Sequence, residues 1–131
     1  MLIGIPKEIK DHEYRVGATP AGVKELIKAG HQVCVQKDAG LAIDFSDDQY
    51  VGVGAKILPT IEDVYSQAEM ILKVKEPQTS ECALIKKEQI IFSYLHLAAE
   101  PELTKMLISS ESVAIAFETV SADDLFLFWL R

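Results

Sequence analysis

Short apolar runs recur along the chain, and each is followed by a polar stretch in which a helix can begin. A run of four to eight apolar residues between turn residues is typical of a buried strand. The run at residues 90–95 is almost wholly apolar, as strands of a buried parallel sheet are. The pattern predicts five strands, at residues 2–5, 31–35, 70–74, 90–95 and 112–117.

Capping residues mark helix starts between these runs. Thr19 precedes Pro20, and proline suits the first helical turn because that position needs no N–H donor. Ser46 and Gln49 have the spacing of a capping box. Helices are therefore predicted from Thr19 to about Gly30, from Ser46 to about Gly52, from Thr60 through Val64, and after Glu100-Pro101.

The alternation of strands and helices with short connections implies a parallel sheet that is covered by helices. We predict an α/β fold that is doubly wound, with a mainly parallel sheet and helices on both faces. The 131 residues suit a single domain, and 49% apolar with 25% charged residues is an ordinary globular composition.

Polar residues with useful chemistry follow three of the predicted strands. Lys73 and Lys75 lie at the end of the third strand, His96 at the end of the fourth and Glu118 at the end of the fifth. Ligands of doubly wound sheets bind beyond these carboxyl ends. A cation, an imidazole and a carboxylate at three consecutive strand ends therefore predict a ligand site.

Each of these residues also has a structural interpretation. His96 can act as a general acid or base near neutral pH, or it can cap local backbone. Lys75 can anchor or polarise an anionic ligand, or it can remain a solvated surface cation. Glu118 can belong to the site or pair with a lysine.

Arg15 and Tyr94 complete the candidate set. Arg15 lies in the loop before the first helix, where its guanidinium can clamp a carboxylate in bidentate fashion or form a surface salt bridge. Tyr94 precedes His96 by two residues, although its ring can simply pack.

Charge and cysteine content narrow the function classes. The net charge of −7 comes without a cluster of basic residues, so nucleic-acid binding is not expected. No run approaches the roughly 20 apolar residues that a bilayer requires, and the first residues lack the order of a signal peptide. We therefore expect no membrane partner. Cys34 and Cys82 lack metal-ligand spacing, so we expect no metal site. Both fit reduced structural thiols, so we expect a cytoplasmic location.

A glycine pair, Gly52-Val53-Gly54, invites a dinucleotide interpretation that the spacing does not support. It follows a short predicted helix instead of opening one, and no third glycine has the required spacing. The sequence therefore predicts no cofactor-binding residues in this chain.

Several motifs together resemble a known family. They are IGIPKEIK, E-x-R-V-x-x-T-P-A-G-V, KVKEP around Lys75, YLHLAA around His96 and a final F-E-T-V. Over about residues 1–120 the chain resembles the N-terminal, substrate-binding domain of alanine dehydrogenases. The related proton-translocating transhydrogenases share the early part but are not expected to show the stretch that contains His96.

The resemblance implies an enzyme that oxidises L-alanine to pyruvate and ammonia with NAD. It implies that Arg15 and Lys75 hold the substrate carboxylate and that Lys75 also polarises the carbonyl. It makes His96 the catalytic residue, which handles protons around the imino and carbinolamine intermediates. Tyr94 and Glu118 would line or support the same cleft.

The resemblance stops after the F-E-T-V stretch. Family members continue into a nucleotide-binding domain, whereas residues 121–131 match nothing expected there and contain six consecutive apolar residues. We therefore expect the NAD-binding domain to be absent, the chain alone to be inactive, and this apolar tail to pack over its own domain or against a second copy in a homo-oligomer. The alternatives are a split enzyme completed by a separate NAD-binding chain, a non-catalytic module that binds a small carboxylate, and a transhydrogenase fragment.

Overall fold

The computed structural model describes residues 1–121, so the prediction for the apolar tail lies outside the described residues. Within that range the sheet has six strands: β1 (Leu2–Ile5), β2 (Gln32–Gln36), β3 (Lys56–Leu58), β4 (Met70–Leu72), β5 (Ile90–Ser93) and β6 (Val113–Ala116). The α-helices of the same range are α1 (Pro20–Lys28), α2 (Asp47–Gly52), α3 (Ile61–Gln67), α4 (Thr79–Cys82) and α5 (Pro101–Ser110).

All neighbouring strands of the sheet are parallel, in the order β3-β2-β1-β4-β5-β6. The chain builds outward from β1 to β3, returns past β1, and then builds outward in the other direction from β4 to β6. The carboxyl ends of β1 and β4 therefore flank the topological switch point, where the connections diverge and a crevice forms. The predicted doubly wound fold is confirmed.

Local chemistry places the helix starts as expected. The Thr19 hydroxyl accepts a hydrogen bond from the Gly22 N–H at the start of α1. Ser46 and Gln49 form both bonds of the predicted capping box at the start of α2. Thr60 likewise accepts from the N–H of Asp63 in α3.

Helices cover both faces of the sheet at its centre. Side chains of α1 and α2 pack with Ile3, Ile5, Val33 and Val35 on one face. On the other face α3 packs with Cys34, Ile71 and Ile91. At Gly4 of β1 an added Cβ would lie only 2.7 Å from the Cβ of Ala68, so glycine permits this close approach of α3. The edge strand β6 is less covered, with Val113 49% exposed.

The prediction of five strands was wrong in number and extended two strands two residues too far, while the other boundaries differ by at most one residue. β3 was missed because it has only three residues, which is too short for a clear apolar run, and α4 was missed because it spans a single turn. β4 ends at Leu72 and not at residue 74, because the N–H groups of Val74 and Lys75 donate to Glu8 in the β1–α1 loop. β5 ends at Ser93 and not at residue 95.

No helix among residues 1–121 is both long and apolar enough to cross a bilayer.

Candidate functional site

The loop between β1 and α1, residues 6–19, brings its polar residues to the carboxyl end of β4. A Cβ added to Gly17 would lie 2.4 Å from the Leu72 carbonyl oxygen, so the loop backbone rests directly against the end of that strand. Glu8, Glu13 and Arg15 belong to this loop. The switch point is thus built from the β1–α1 loop on one side and the residues after β4 on the other.

Glu8 fixes the backbone that carries Lys75. One oxygen of its carboxylate accepts hydrogen bonds from the N–H groups of Val74, at 3.1 Å, and Lys75, at 2.7 Å. The other oxygen accepts from the Lys73 ammonium at 2.7 Å. Hydrogen bonds to an ionised carboxylate are strong, so the position of Lys75 is set by a side chain 67 residues away in sequence.

Behind this contact lies a group of four residues, Glu8, Tyr65, Lys73 and Glu81, which we name the buried cluster. The Lys73 ammonium also lies 2.9 Å from Glu81, and the side chains of Lys73, Glu8 and Glu81 are 1%, 1% and 0% exposed. The Tyr65 hydroxyl donates to Glu81 at 3.4 Å. The burial of Lys73 removes it from direct contact with a ligand, although it lies at a strand end like Lys75.

Burial dominates the electrostatics of the cluster. It raises the pKa of Glu8 above the ordinary value of 4.5, although the Lys73 ammonium and the Lys75 N–H oppose the shift. Burial also raises the pKa of Tyr65, and the neighbouring Glu81 carboxylate adds to this shift, so the phenol remains a hydrogen-bond donor. Lys73 thus forms ion pairs with two buried carboxylates, those of Glu8 and Glu81.

Arg15 forms a bidentate ion pair with Glu13 at the edge of the crevice. Its Nη2 and Nε lie 2.6 and 3.0 Å from the two carboxylate oxygens of Glu13. The Arg15 hydrogen bond lowers the pKa of Glu13 most, and the charge of Lys75 lowers it further. Arg15 and Lys75 both belong to the switch point, because Glu8 of the loop that carries Arg15 also holds the backbone of Lys75.

Lys75, Tyr94 and His96 form a continuous series of contacts. The Lys75 ammonium lies 5.4 Å from the centroid of the Tyr94 ring, within the range of a cation–π interaction. The Tyr94 hydroxyl lies 3.1 Å from Nδ1 of His96, and the two rings stack with centroids 5.6 Å apart. We name Arg15, Lys75, Tyr94 and His96, with Glu13, the cleft rim.

Glu118 holds the chain that carries His96. It accepts hydrogen bonds from the N–H groups of His96 at 2.9 Å and Leu95 at 3.4 Å. His96 itself has a left-handed backbone with φ of 50°, a conformation that non-glycine residues adopt rarely and that needs support from surrounding contacts. The bonds of Glu118 go to backbone N–H groups, which differs from the lysine pairing considered from the sequence.

Sequence reasoning missed three acidic residues, Glu8, Glu13 and Glu81. Glu81 carried a usable signal, since its spacing from Gln78 is that of a capping box and its carboxylate does accept from the Gln78 N–H at 2.8 Å. Glu13 is two residues from Arg15, which is close enough for a pair. Nothing local marked Glu8, because its partners are more than 60 residues away.

The β1–α1 loop does not fit a dinucleotide. A dinucleotide site at this position uses a tight glycine-rich turn that opens onto a free helix N-terminus. Here the β1–α1 connection is long, Gly17 lies against the Leu72 backbone, and Thr19 caps the first turn of α1 itself. Across residues 1–121 no group of three or more His, Cys, Asp or Glu side chains is placed to hold a metal ion.

Comparison with known proteins identifies the family of this chain. The family described as "Alanine dehydrogenase/PNT, N-terminal domain" matches residues 4–125. The chain therefore belongs to this family. The sequence is 54% identical over 124 residues to an alanine dehydrogenase of Methanococcus maripaludis. The aligned region covers 95% of this chain and 33% of that protein.

Further relatives agree on the extent of the match. The sequence is 49% identical over 121 residues to an alanine dehydrogenase of Bacillus subtilis, covering 92% of this chain and 32% of that protein. A solved L-alanine dehydrogenase superposes with a TM-score of 0.90 at 47% identity, covering 94% of this chain and 34% of that chain. A transhydrogenase from Sinorhizobium meliloti superposes with a TM-score of 0.84 at 26% identity, covering 90% of this chain and 35% of that one. The chain spans about a third of the length of the alanine dehydrogenases it matches.

Proposed function

We propose that this chain forms the substrate-binding part of an alanine dehydrogenase and holds the carboxylate of pyruvate or L-alanine at the switch point. The observation that supports this most is the cleft rim, where the Lys75 ammonium lies beside a linked tyrosine and histidine. The relatives are named alanine dehydrogenases, and alanine is a small acid with an amine next to its carboxylate.

The residues of the rim take separate roles in this proposal. The guanidinium of Arg15 and the ammonium of Lys75 bind the carboxylate, and Lys75 also polarises the carbonyl oxygen, where a fixed cation stabilises developing negative charge. His96 donates and accepts the proton at that oxygen. Tyr94 orients the imidazole through Nδ1, and Glu118 holds the backbone of His96 in its left-handed conformation.

The proposal assigns no NAD contact to residues 1–121, because the β1–α1 loop does not fit a dinucleotide. We propose that the purified chain alone does not reduce NAD in the presence of L-alanine. Absorbance at 340 nm would stay flat with chain, NAD and L-alanine together. Steady turnover that persists through further purification would contradict this part of the proposal.

The binding claim is tested by calorimetric titration of pyruvate into the parent chain and into Lys75→Ala. A charge-assisted contact is worth about 1.5–3 kcal/mol, so the loss of Lys75 weakens binding about tenfold or more. His96→Ala has a smaller effect, because its role is proton transfer. The matched control is Lys87→Ala, which removes an exposed lysine paired with Glu111 at the opposite end of the sheet.

The titration also has an outcome that contradicts the proposal. Equal affinity of the parent and Lys75→Ala would remove Lys75 from the site. An equal loss in Lys75→Ala and Lys87→Ala would show that general charge, and not the cleft rim, attracts the acid.

We further propose that the chain acts in the cytoplasm as a homo-oligomer. Exposed apolar side chains near the β6 edge support the assembly, including Ile108, which is 72% exposed on α5, and Val113, which is 49% exposed. Light scattering of the purified chain would give a mass of at least twice 14.5 kDa. A mass of one chain at micromolar concentration would contradict it.

A further inference from the structure

The Glu13–Arg15 pair leaves part of the guanidinium available to a ligand. Glu13 uses the Nε and Nη2 groups of Arg15, and it also accepts from the Arg15 backbone N–H at 3.1 Å. A guanidinium has five N–H groups, so three remain on the outer side. The Arg15 side chain is 64% exposed, whereas the Glu13 side chain is only 6% exposed. Glu13 is therefore a fixed inner partner, and the exposed edge of Arg15 faces solvent.

The charge of Glu13 changes what the rim can attract. The lowered pKa of Glu13 keeps its carboxylate ionised at neutral pH. Arg15 and Lys75 contribute two positive charges, and Glu13 cancels one of them. Behind the rim, the buried Lys73 lies between two carboxylates, Glu8 and Glu81, so no excess of positive charge lies there.

We infer that Glu13 is a specificity-determining residue, whose charge weakens the binding of ligands with two carboxylates more than that of small ligands with one. This inference rests on the proposed function and deepens it, because it names the charge class of the substrate.

The physical reason is the balance of charge in the rim. A ligand with one carboxylate meets one net positive charge from Arg15, Lys75 and Glu13 together. A second carboxylate adds a negative charge that these residues leave uncompensated while Glu13 is ionised. Coulomb energy is proportional to the product of the charges, so neutralising Glu13 helps a dianion about twice as much as a monoanion.

The experiment compares pyruvate with oxalate, a dianion of similar size, in calorimetric titrations at neutral pH and low salt. The parent chain sets the reference ratio of oxalate to pyruvate affinity. In Glu13→Gln the ratio of oxalate to pyruvate affinity should rise about three- to tenfold, which is the effect of one added charge near a partly exposed site. The matched control is Glu25→Gln, which removes an exposed carboxylate paired with Lys28 on α1 and should leave the ratio unchanged.

A second variant separates charge from shape. Glu13→Asp keeps the charge and shortens the side chain, so the ratio of oxalate to pyruvate affinity should stay close to that of the parent. A ratio in Glu13→Asp that rises as much as in Glu13→Gln would overturn the inference. An equal loss of affinity for both acids in Glu13→Gln would also overturn it, because Glu13 would then only orient Arg15.

The outcomes distinguish this inference from the proposed function. Pyruvate binding with an unchanged ratio in Glu13→Gln overturns the specificity role and leaves the substrate site standing. Binding of neither acid by the parent chain overturns the proposed function, and the specificity role falls with it.

Discussion

The buried cluster and the cleft rim both join carboxylates to cations, yet their environments differ. In the buried cluster, Glu8 is 1% exposed at its side chain and burial raises its pKa. In the rim, Glu13 faces an arginine that is largely exposed, and that arginine lowers the pKa of Glu13. Two glutamates five residues apart on one loop are thus shifted in opposite directions.

The difference shows how this fold separates stability from binding. The buried cluster fixes the backbone of Lys75 from behind, through Glu8, and cannot itself contact a ligand. The rim keeps its cations accessible, with Arg15 64% exposed and Lys75 half-buried. Changes in the buried cluster should therefore act on folding, whereas changes in the rim should act on ligand binding.

The largest expected effect is on folding and comes from Lys73→Met. The substitution leaves Glu8 and Glu81 buried without their cation, and breaking a buried ion pair in this way costs about 3–5 kcal/mol. Urea unfolding followed by circular dichroism measures the change. Lys105→Met breaks an exposed pair with Glu102 and should cost less than about 1 kcal/mol. Similar losses in the two variants would show that the buried cluster is no more important than a surface pair.

The pH dependence of unfolding should distinguish the two glutamates by sign. Because the pKa of Glu13 is lowered on folding, its contribution to stability is present above about pH 4.5 and is lost as the pH falls. The stability cost of Glu13→Gln should therefore shrink below that pH, from about 1 kcal/mol for a pair whose arginine is largely exposed.

For Glu8 the sign is reversed. Its pKa is raised on folding, so its contribution is fully present below the unfolded value near 4.5 and is lost as the pH rises through the folded value. Glu8→Gln should thus cost more near pH 4 than near pH 7. Urea unfolding at several pH values checks both variants, and parallel slopes would contradict the contrast between the two glutamates.

The smallest expected change in stability is for Tyr94→Phe. The hydroxyl lies on a side chain at the surface, so the free energy of unfolding should stay within about 0.5 kcal/mol of the parent. The ¹⁵N chemical shift of His96 Nδ1 should nevertheless change, because its hydrogen-bond partner is removed. An unchanged ¹⁵N shift would mean that the Tyr94–His96 contact is not formed in solution.

The sequence predicted the sheet, most helix starts and the placement of several rim residues. Apolar runs and capping residues are local signals, and they are enough for α1, α2, α3 and α5 and for five of the six strands. Position at a strand end predicted that Lys75 and His96 lie close together, and in the structure both contact Tyr94, because the parallel order of the sheet brings consecutive strand ends together.

The partners of these residues could not be predicted in the same way. Lys73 and Lys75 are two residues apart and look alike in the sequence, yet one is buried and the other reaches the rim. The difference comes from Glu8 and Glu81, which the fold brings to Lys73 from distant parts of the chain. Arg15 was expected to hold a carboxylate, and in the structure it already holds that of Glu13.

The most direct test of the central claim is a ¹H–¹⁵N NMR titration of the parent chain with pyruvate. If the switch point holds the acid, the amide signals of Arg15, Lys75 and His96 should shift most and should saturate together. Amides at the amino ends of the strands, such as those of Gln32, Lys56 and Val113, should stay in place. Shifts centred on those amino ends, or no saturable shift at the rim, would contradict the account.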